Sequence, residues 1–502
     1  MDAVTVAQTA FVAWARETAA QLRLTVSTVK TLAVTATVTA FTFGVLLAVL
    51  SGGSGPAQEL GLTAGMLSFI LGGAFLTVSF LTALFAMLAP PRNALATVLD
   101  MLPVSRPAAF VGLQAPVLTL SYVLAVSLVI PSIAELWRAS NGGDTGAALG
   151  TAALLLFMTC SQVLILAVFQ GLGYLFRRWL RLPRYYASTF AGASCFGLGL
   201  LLVGTDVLPL PSTLEEHARG LRDLAPHRVW SRALVPLWTG TNVSWPDVLI
   251  GALWALIPLL LILLVARTDI DNQHDATLRL LANAPVPSKR VLAAAYVDAL
   301  QLLRTHQFVV LVLLLMLSLG GLVLLAQHPE VGFITPVVAP GLAVAPLALG
   351  MQSYGATAAT HWLPRHLTAR PTAWVLPKLL SSATIALIVT AVFISALFAA
   401  DLLEVQQWPT LAGNAILLWE AAMIGGILVP FSREQPLGSS ATGFTVFLLY
   451  ALTSTAVAWA GPRIGSAFGD LAHLGEITAT VLVAAMLGVL MARLAERVSE
   501  DA

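Results

Sequence analysis

With 502 residues, 58% of them hydrophobic and 10% charged, and a mean hydropathy of +0.86, the chain lacks the polar surface to cover a water-soluble globule of its size. It reads as an all-α, polytopic membrane protein. A formal net charge of +1, with no basic tract and no interleaving of basic and aromatic residues, gives no nucleic-acid partner. Cys160 and Cys195 both lie inside apolar runs, which favours packing over a disulfide framework or a thiolate metal site. No short apolar stretch followed by a small-residue cleavage site opens the chain, so the first span is expected to do the targeting.

In chain order, residues 1–30 come first. Phe11, Trp14, Ala15, Leu22 and Val26 share one helical face and Arg16, Arg23, Ser27 and Lys30 the opposite one, which predicts an amphipathic helix in the inner membrane interface. A plain anchoring role would produce the same pattern. Twelve apolar windows follow, each long enough to cross a bilayer core of ~30 Å as a helix. They fall at 31–50, 62–88, 109–131, 148–175, 187–208, 247–266, 308–327, 332–351, 376–399, 409–430, 440–460 and 474–493. The loop 209–246 holds five prolines with Trp230, Trp238 and Trp245, which predicts one or two short helices at the outer surface, with the tryptophans at headgroup level.

Twelve spans put both termini on one side. If that side is the cytoplasm, 20 of the 26 Lys and Arg residues lie inside and 6 outside, as the positive-inside rule requires. The chain also repeats. Arg106-Pro107-Ala108-Ala109-Phe110-Val111 lines up, 264 residues on, with Arg370-Pro371-Thr372-Ala373-Trp374-Val375. A second lead-in, Tyr296-Val297-Asp298-Ala299-Leu300-Gln301-Leu302-Leu303-Arg304, precedes the seventh window. The predicted organisation is a six-span half at 1–267, a connector with its lead-in helix at 268–307, and a second six-span half at 308–502.

A phosphate-binding loop needs Gly-Lys followed by Ser or Thr. The only lysines, Lys30, Lys289 and Lys378, follow Val29, Ser288 and Pro377, so any ATP hydrolysis must be done by another subunit. Leu102-Pro103-Val104-Ser105-Arg106, after the second span, resembles the signature of ABC-2 type exporter permeases, above all the fused twelve-span kind found in actinobacterial antibiotic and multidrug export. Gln352-Ser353-Tyr354-Gly355, then Arg365, Arg370 and the span-opening Lys378, resemble the corresponding region in the second half, where the first half has Gln114 in place of Lys378.

The resemblance implies a multi-pass permease of a bacterial cytoplasmic membrane that moves a small hydrophobic or amphiphilic compound across the lipid bilayer. It implies no catalysis or cofactor in this chain, with ATP and Mg on a cytoplasmic ABC ATPase present in two copies. By the same carry-over, Asp100, Pro103, Ser105 and Arg106 dock one ATPase copy and Arg365, His366 and Arg370 the other. Taken singly, these prolines could simply break helices and the arginines anchor topology.

An ion-coupled secondary transporter is the alternative, since repeats and twelve spans occur there too. Such carriers place ionisable residues or broken helices at the midplane, and these spans offer little beyond Glu420 and Asp206. An intramembrane lipid-processing enzyme comes third, on Asp269, Asp271 and Asp275 as a divalent-ion cluster. Glu420, near the middle of the tenth window, is expected to face the protein interior or a wet cavity and is the translocation-pathway candidate.

Overall fold

The structure is a computed structural model. It describes residues 3–22, 25–52, 64–88, 104–138, 143–204, 223, 225–240, 242, 244–267, 285–326, 335–355, 374–404, 407–430, 438–466, 468 and 474–501. Among these residues there is no strand. Eleven helices are long and apolar enough to cross a membrane, which makes this a multi-pass membrane protein by length and composition. A helix is the only open-ended element that satisfies its own backbone in hydrocarbon.

The chain divides into two compact units, Met1–Asp275 and Ala276–Ala502. The first contains α1 (Ala3–Leu22), α2 (Val26–Gly52), α3 (Ala64–Leu88), α4 (Arg106–Arg138), α5 (Gly143–Arg178), α6 (Arg184–Gly204), α7 (Pro226–Thr239) and α8 (Trp245–Arg267). α1 and α7 are not spans. α1 packs on α4, and α3 sits amid α4, α5, α6 and α7.

The buried stripe of α1 is Val6, Ala10, Trp14 and Thr18, at four-residue spacing, and Gly112 on α4 takes Val6 where a larger residue would collide. Of the apolar residues expected on one face, Trp14 belongs to this buried stripe, whereas Phe11 and Val26 are exposed. Val26 already opens α2, so the lead-in ends earlier than residue 30.

α7 is the short helix expected in the outer loop. Its two tryptophans are not at a membrane surface level of exposure. Trp230 and Trp238 are buried with His227, Ser231 and Leu234 along one face, while Trp245 at the start of α8 stays 75% exposed. The reason lies on α5: Gly146 and Gly150, one turn apart, leave a groove that admits the Leu237 carbonyl and the Trp238 indole. Phe157 continues that contact, with its ring centroid 5.5 Å from that of Trp230.

The second unit contains α9 (Arg290–Leu303), α10 (His306–Ala326), α11 (Thr335–Val344), a 3₁₀ segment (Ala345–Met351), α12 (Gln352–Gly355), α13 (Val375–Ala399), α14 (Trp408–Leu428), α15 (Gly438–Gly465) and α16 (Leu474–Asp501). α9 belongs to this unit and packs on α13, as α1 packs on α4 in the first. The eighth window, 332–351, is not a single helix. α11 runs through Pro340 to Val344 and passes into the 3₁₀ turns Ala345–Met351, which Pro346 opens, and α12 follows just beyond the window. The other eleven windows each correspond to one continuous helix.

Candidate functional site

The broken segment ends in a buried polar junction. Its middle is fixed by close backbone approach: Gly426 on α14 lies against the carbonyl of Met351, and Gly350 faces Ala422 and Met423. There the single turn of α12 buries Gln352, Ser353 and Tyr354. Lys378, in the first turn of α13, reaches this turn. Its Nζ donates to the Ser353 carbonyl at 3.3 Å and lies 3.5 Å from Asp298 Oδ1 of α9.

This pair is withdrawn from solvent, with side-chain exposures of 3% for Lys378 and 19% for Asp298. Burial pushes the Asp298 carboxyl above its ordinary range, and the Lys378 charge and hydrogen bond pull it part of the way back. Around the pair, Ser353 Oγ donates to the Gly350 carbonyl at 2.8 Å, and Ser353 and Ser382 Oγ lie 3.2 and 3.4 Å from Met423 Sδ. Thr305 caps α10, accepting from Phe308 N at 3.3 Å, and its Oγ1 is 3.5 Å from Gln352 Oε1. Tyr354 and Trp374 close the junction, ring centroids 5.2 Å apart.

α9 reaches this junction because Ala295, Asp298 and Leu302 recur at helical spacing and turn one stripe toward α13 and α12. Asp298, Ser353 and Lys378 were each legible as members of the second repeat. Their meeting was not. The available signal was that a lysine in the first turn of an apolar helix must find an acceptor or a counter-charge, and Asp298 is the one acid on the lead-in helix.

Of the docking candidates, Ser105 and Arg106 are described. Both are exposed, and Arg106 opens α4. Asp100, Pro103, Arg365, His366 and Arg370 lie outside the described residues, as does the Asp269, Asp271 and Asp275 cluster. Among the described residues no group of three His, Cys, Asp or Glu could hold a metal ion.

Glu420 lies on α14, half-buried. Its Oε1 is 3.9 Å from where a Cβ on Gly488 of α16 would stand, and its buried Oε2 has no hydrogen-bond partner among the described residues. A hollow of about 440 Å³ runs along α15 between Leu448 and Trp459. It is the open apolar flank of a single helix.

No protein-family model matches the chain, and neither a curated protein nor a solved structure does.

Proposed function

We propose that this chain is the membrane-spanning permease of a bacterial exporter driven by a separate ATPase. The observation that carries the reading is a shared construction in the two units: a non-spanning lead-in helix packs against the helix that opens directly after the polar, arginine-bearing turn, α1 on α4 and α9 on α13. A force applied at either turn would enter a long transmembrane helix and its lead-in together. Of the three lysines, Lys378 is 2% exposed, which removes it from any contact with nucleotide and agrees with hydrolysis on another subunit.

In this reading the protein has twelve spans in two six-span halves, the eighth interrupted, and α1 and α9 lie in the inner interface of the cytoplasmic membrane. Both termini are cytoplasmic. Asp100, Pro103, Ser105 and Arg106 receive one ATPase copy and Arg365, His366 and Arg370 the other. The cargo is a small amphiphile, and Glu420 lines its route and favours cationic or polar head groups.

One observation favours the second reading, an ion-coupled carrier. The interrupted eighth segment and an unpartnered carboxylate at Glu420 are the features such carriers use to bind a coupling cation.

The test is energetic. The purified chain is expected to hydrolyse no ATP, to bind a cytoplasmic ATPase, and to lose that binding on Arg106→Glu with Arg370→Glu. Transport in proteoliposomes that runs on a proton or sodium gradient without an ATPase would replace the permease reading with the carrier.

A further inference from the structure

The turn that joins α5 to α6 is basic on both sides and carries an exposed apolar tip. Arg177, Arg178, Arg181 and Arg184 are the only charged residues between Asp144 and Asp206, so nothing acidic in that stretch offsets them. Between them, Trp179 and Leu180 are 76% and 62% exposed. The backbone of the turn is closed, with Trp179 N donating to the Leu175 carbonyl at 2.8 Å and Leu182 N to the Phe176 carbonyl at 3.3 Å. The apolar run of α5 ends at Phe176, which sets Trp179 about one helical turn beyond it, at the depth of lipid headgroups.

Helix stability accounts for part of this cluster. Arg177 Nε donates to the Gly173 carbonyl at 3.0 Å and Arg178 lies over the Tyr174 ring, 5.8 Å from its centroid, so both complement the C-terminal end of α5. The rest has no such reason. Arg181 adopts a left-handed conformation, φ 50°, which glycine takes at lower cost. Arg184 opens α6, where the helix dipole disfavours a cation. An exposed tryptophan and leucine gain nothing from water. Each choice costs the isolated chain stability, and a single partner, apolar beneath an anionic surface, offsets all of them.

We propose that the turn 177–184 is a docking surface for acidic phospholipids. Trp179 and Leu180 enter the membrane interface, and the exposed Arg178 and Arg181 bind the phosphates around them, within a positive field to which Arg177 and Arg184 add. A guanidinium has five donors, so the contact with Tyr174 leaves Arg178 able to bind a phosphate. The proposal needs only a membrane-spanning chain and holds for a permease and for a carrier alike.

The first measurement titrates the full chain in neutral detergent with phosphatidylglycerol or phosphatidylcholine and counts bound lipid by native mass spectrometry. Phosphatidylglycerol is expected to bind more tightly, Arg181→Gln to weaken it about fivefold, and Arg181→Lys to stay within about twofold of the parent. Arg463→Gln is the control, since Arg463 is also exposed and lies 3.9 Å over the Trp459 ring, but without other arginines beside it. It is expected to change binding by less than about twofold. Arg181→Gly relieves the left-handed backbone and is expected to raise the unfolding temperature while losing phosphatidylglycerol as Arg181→Gln does.

The second measurement places a fluorophore on Leu180→Cys, in a chain with Cys160→Ala and Cys195→Ala, in phosphatidylcholine vesicles with and without phosphatidylglycerol. Quenching by a doxyl-labelled lipid is expected, stronger with phosphatidylglycerol and weakened by Arg178→Gln with Arg181→Gln. Unchanged phosphatidylglycerol binding in Arg181→Gln, or an equal loss in Arg463→Gln, would overturn the proposal. So would a fluorophore quenched by aqueous iodide and not by doxyl lipid, which would make the turn a site for a soluble protein instead.

Discussion

The two units solve one packing problem in different ways. In the first, α3 is an unbroken helix of 25 residues without a proline, and the short helix α7 is inserted against α3, α5 and α8. In the second, the corresponding segment carries a 3₁₀ stretch, and α15 and α16 pack directly on each other. The residues 264 apart at the start of α4 and α13 follow the same division. Gln114 and Lys378 are both buried, 7% and 2% exposed, but only the unit with the broken segment carries a charge there. A buried ammonium is a strong hydrogen-bond donor, and that of Lys378 reaches the Ser353 carbonyl and Asp298. The charge accompanies the break, and the carboxylate accompanies the charge.

The largest expected effect breaks this comparison at its centre. Lys378→Met leaves Asp298 buried without its partner, and removing one member of a buried pair costs about 3–5 kcal/mol. Gln114→Leu removes a neutral amide, a loss of about 1 kcal/mol. Reversible denaturant unfolding in mixed micelles is expected to show this difference between the units. Equal losses would mean that the charge at Lys378 has no special place in the second unit.

A second, smaller contrast lies within a single helix. Gly150→Ala drives a methyl into the Trp238 indole and is expected to destabilise the first unit by about 1–3 kcal/mol through overpacking. Gly173→Ala, on the same helix, meets nothing within 4 Å and gains helix propensity, so it is expected to be neutral or stabilising by up to about 1 kcal/mol. Trp238 fluorescence is expected to report the first change and not the second. A blue shift and stability unaltered by Gly150→Ala would show that α7 does not depend on this groove.

Helix existence and order were readable because hydrocarbon imposes a length on every span, and eleven of the twelve windows are single helices. The exception has a physical cause. Hydropathy averages over residue type, and prolines at 336, 340 and 346 hardly change that average while each removes a donor. Spaced prolines in the eighth window, set beside a second window without any, were the overlooked sign of a break. The burial of Trp230 and Trp238 was hidden for a different reason. Their partner groove is made by two glycines some eighty residues earlier, and a tryptophan carries no local mark of such a match. The repeat exposed Gln352, Ser353 and Lys378 as a group, but pairing with Asp298 depends on how α9 rolls against α13, which composition does not encode.

The smallest expected effect separates the acids of the two lead-in helices. Glu17 on α1 has a buried Oε2 with no hydrogen-bond partner among the described residues, and burial alone raises its carboxyl above the ordinary value. A raised folded-state value means that the folded chain holds the proton more tightly than the unfolded one. The contribution of Glu17 is then full below the ordinary carboxylate value and fades as pH rises through the raised one. Glu17→Gln carries a permanently neutral group and is expected to unfold at a slightly higher temperature than the parent at pH 7.5, with the gap closing by pH 4. Asp298 is raised by burial too, but it faces Lys378. At pH 7.5, Asp298→Asn strands a buried ammonium and is expected to lower the unfolding temperature. The two acids on the lead-in helices thus answer the same amide substitution with opposite signs at neutral pH, because Asp298 has a counter-charge and Glu17 has none among the described residues. A loss of stability in Glu17→Gln matching that of Asp298→Asn would require Glu17 to be paired as well.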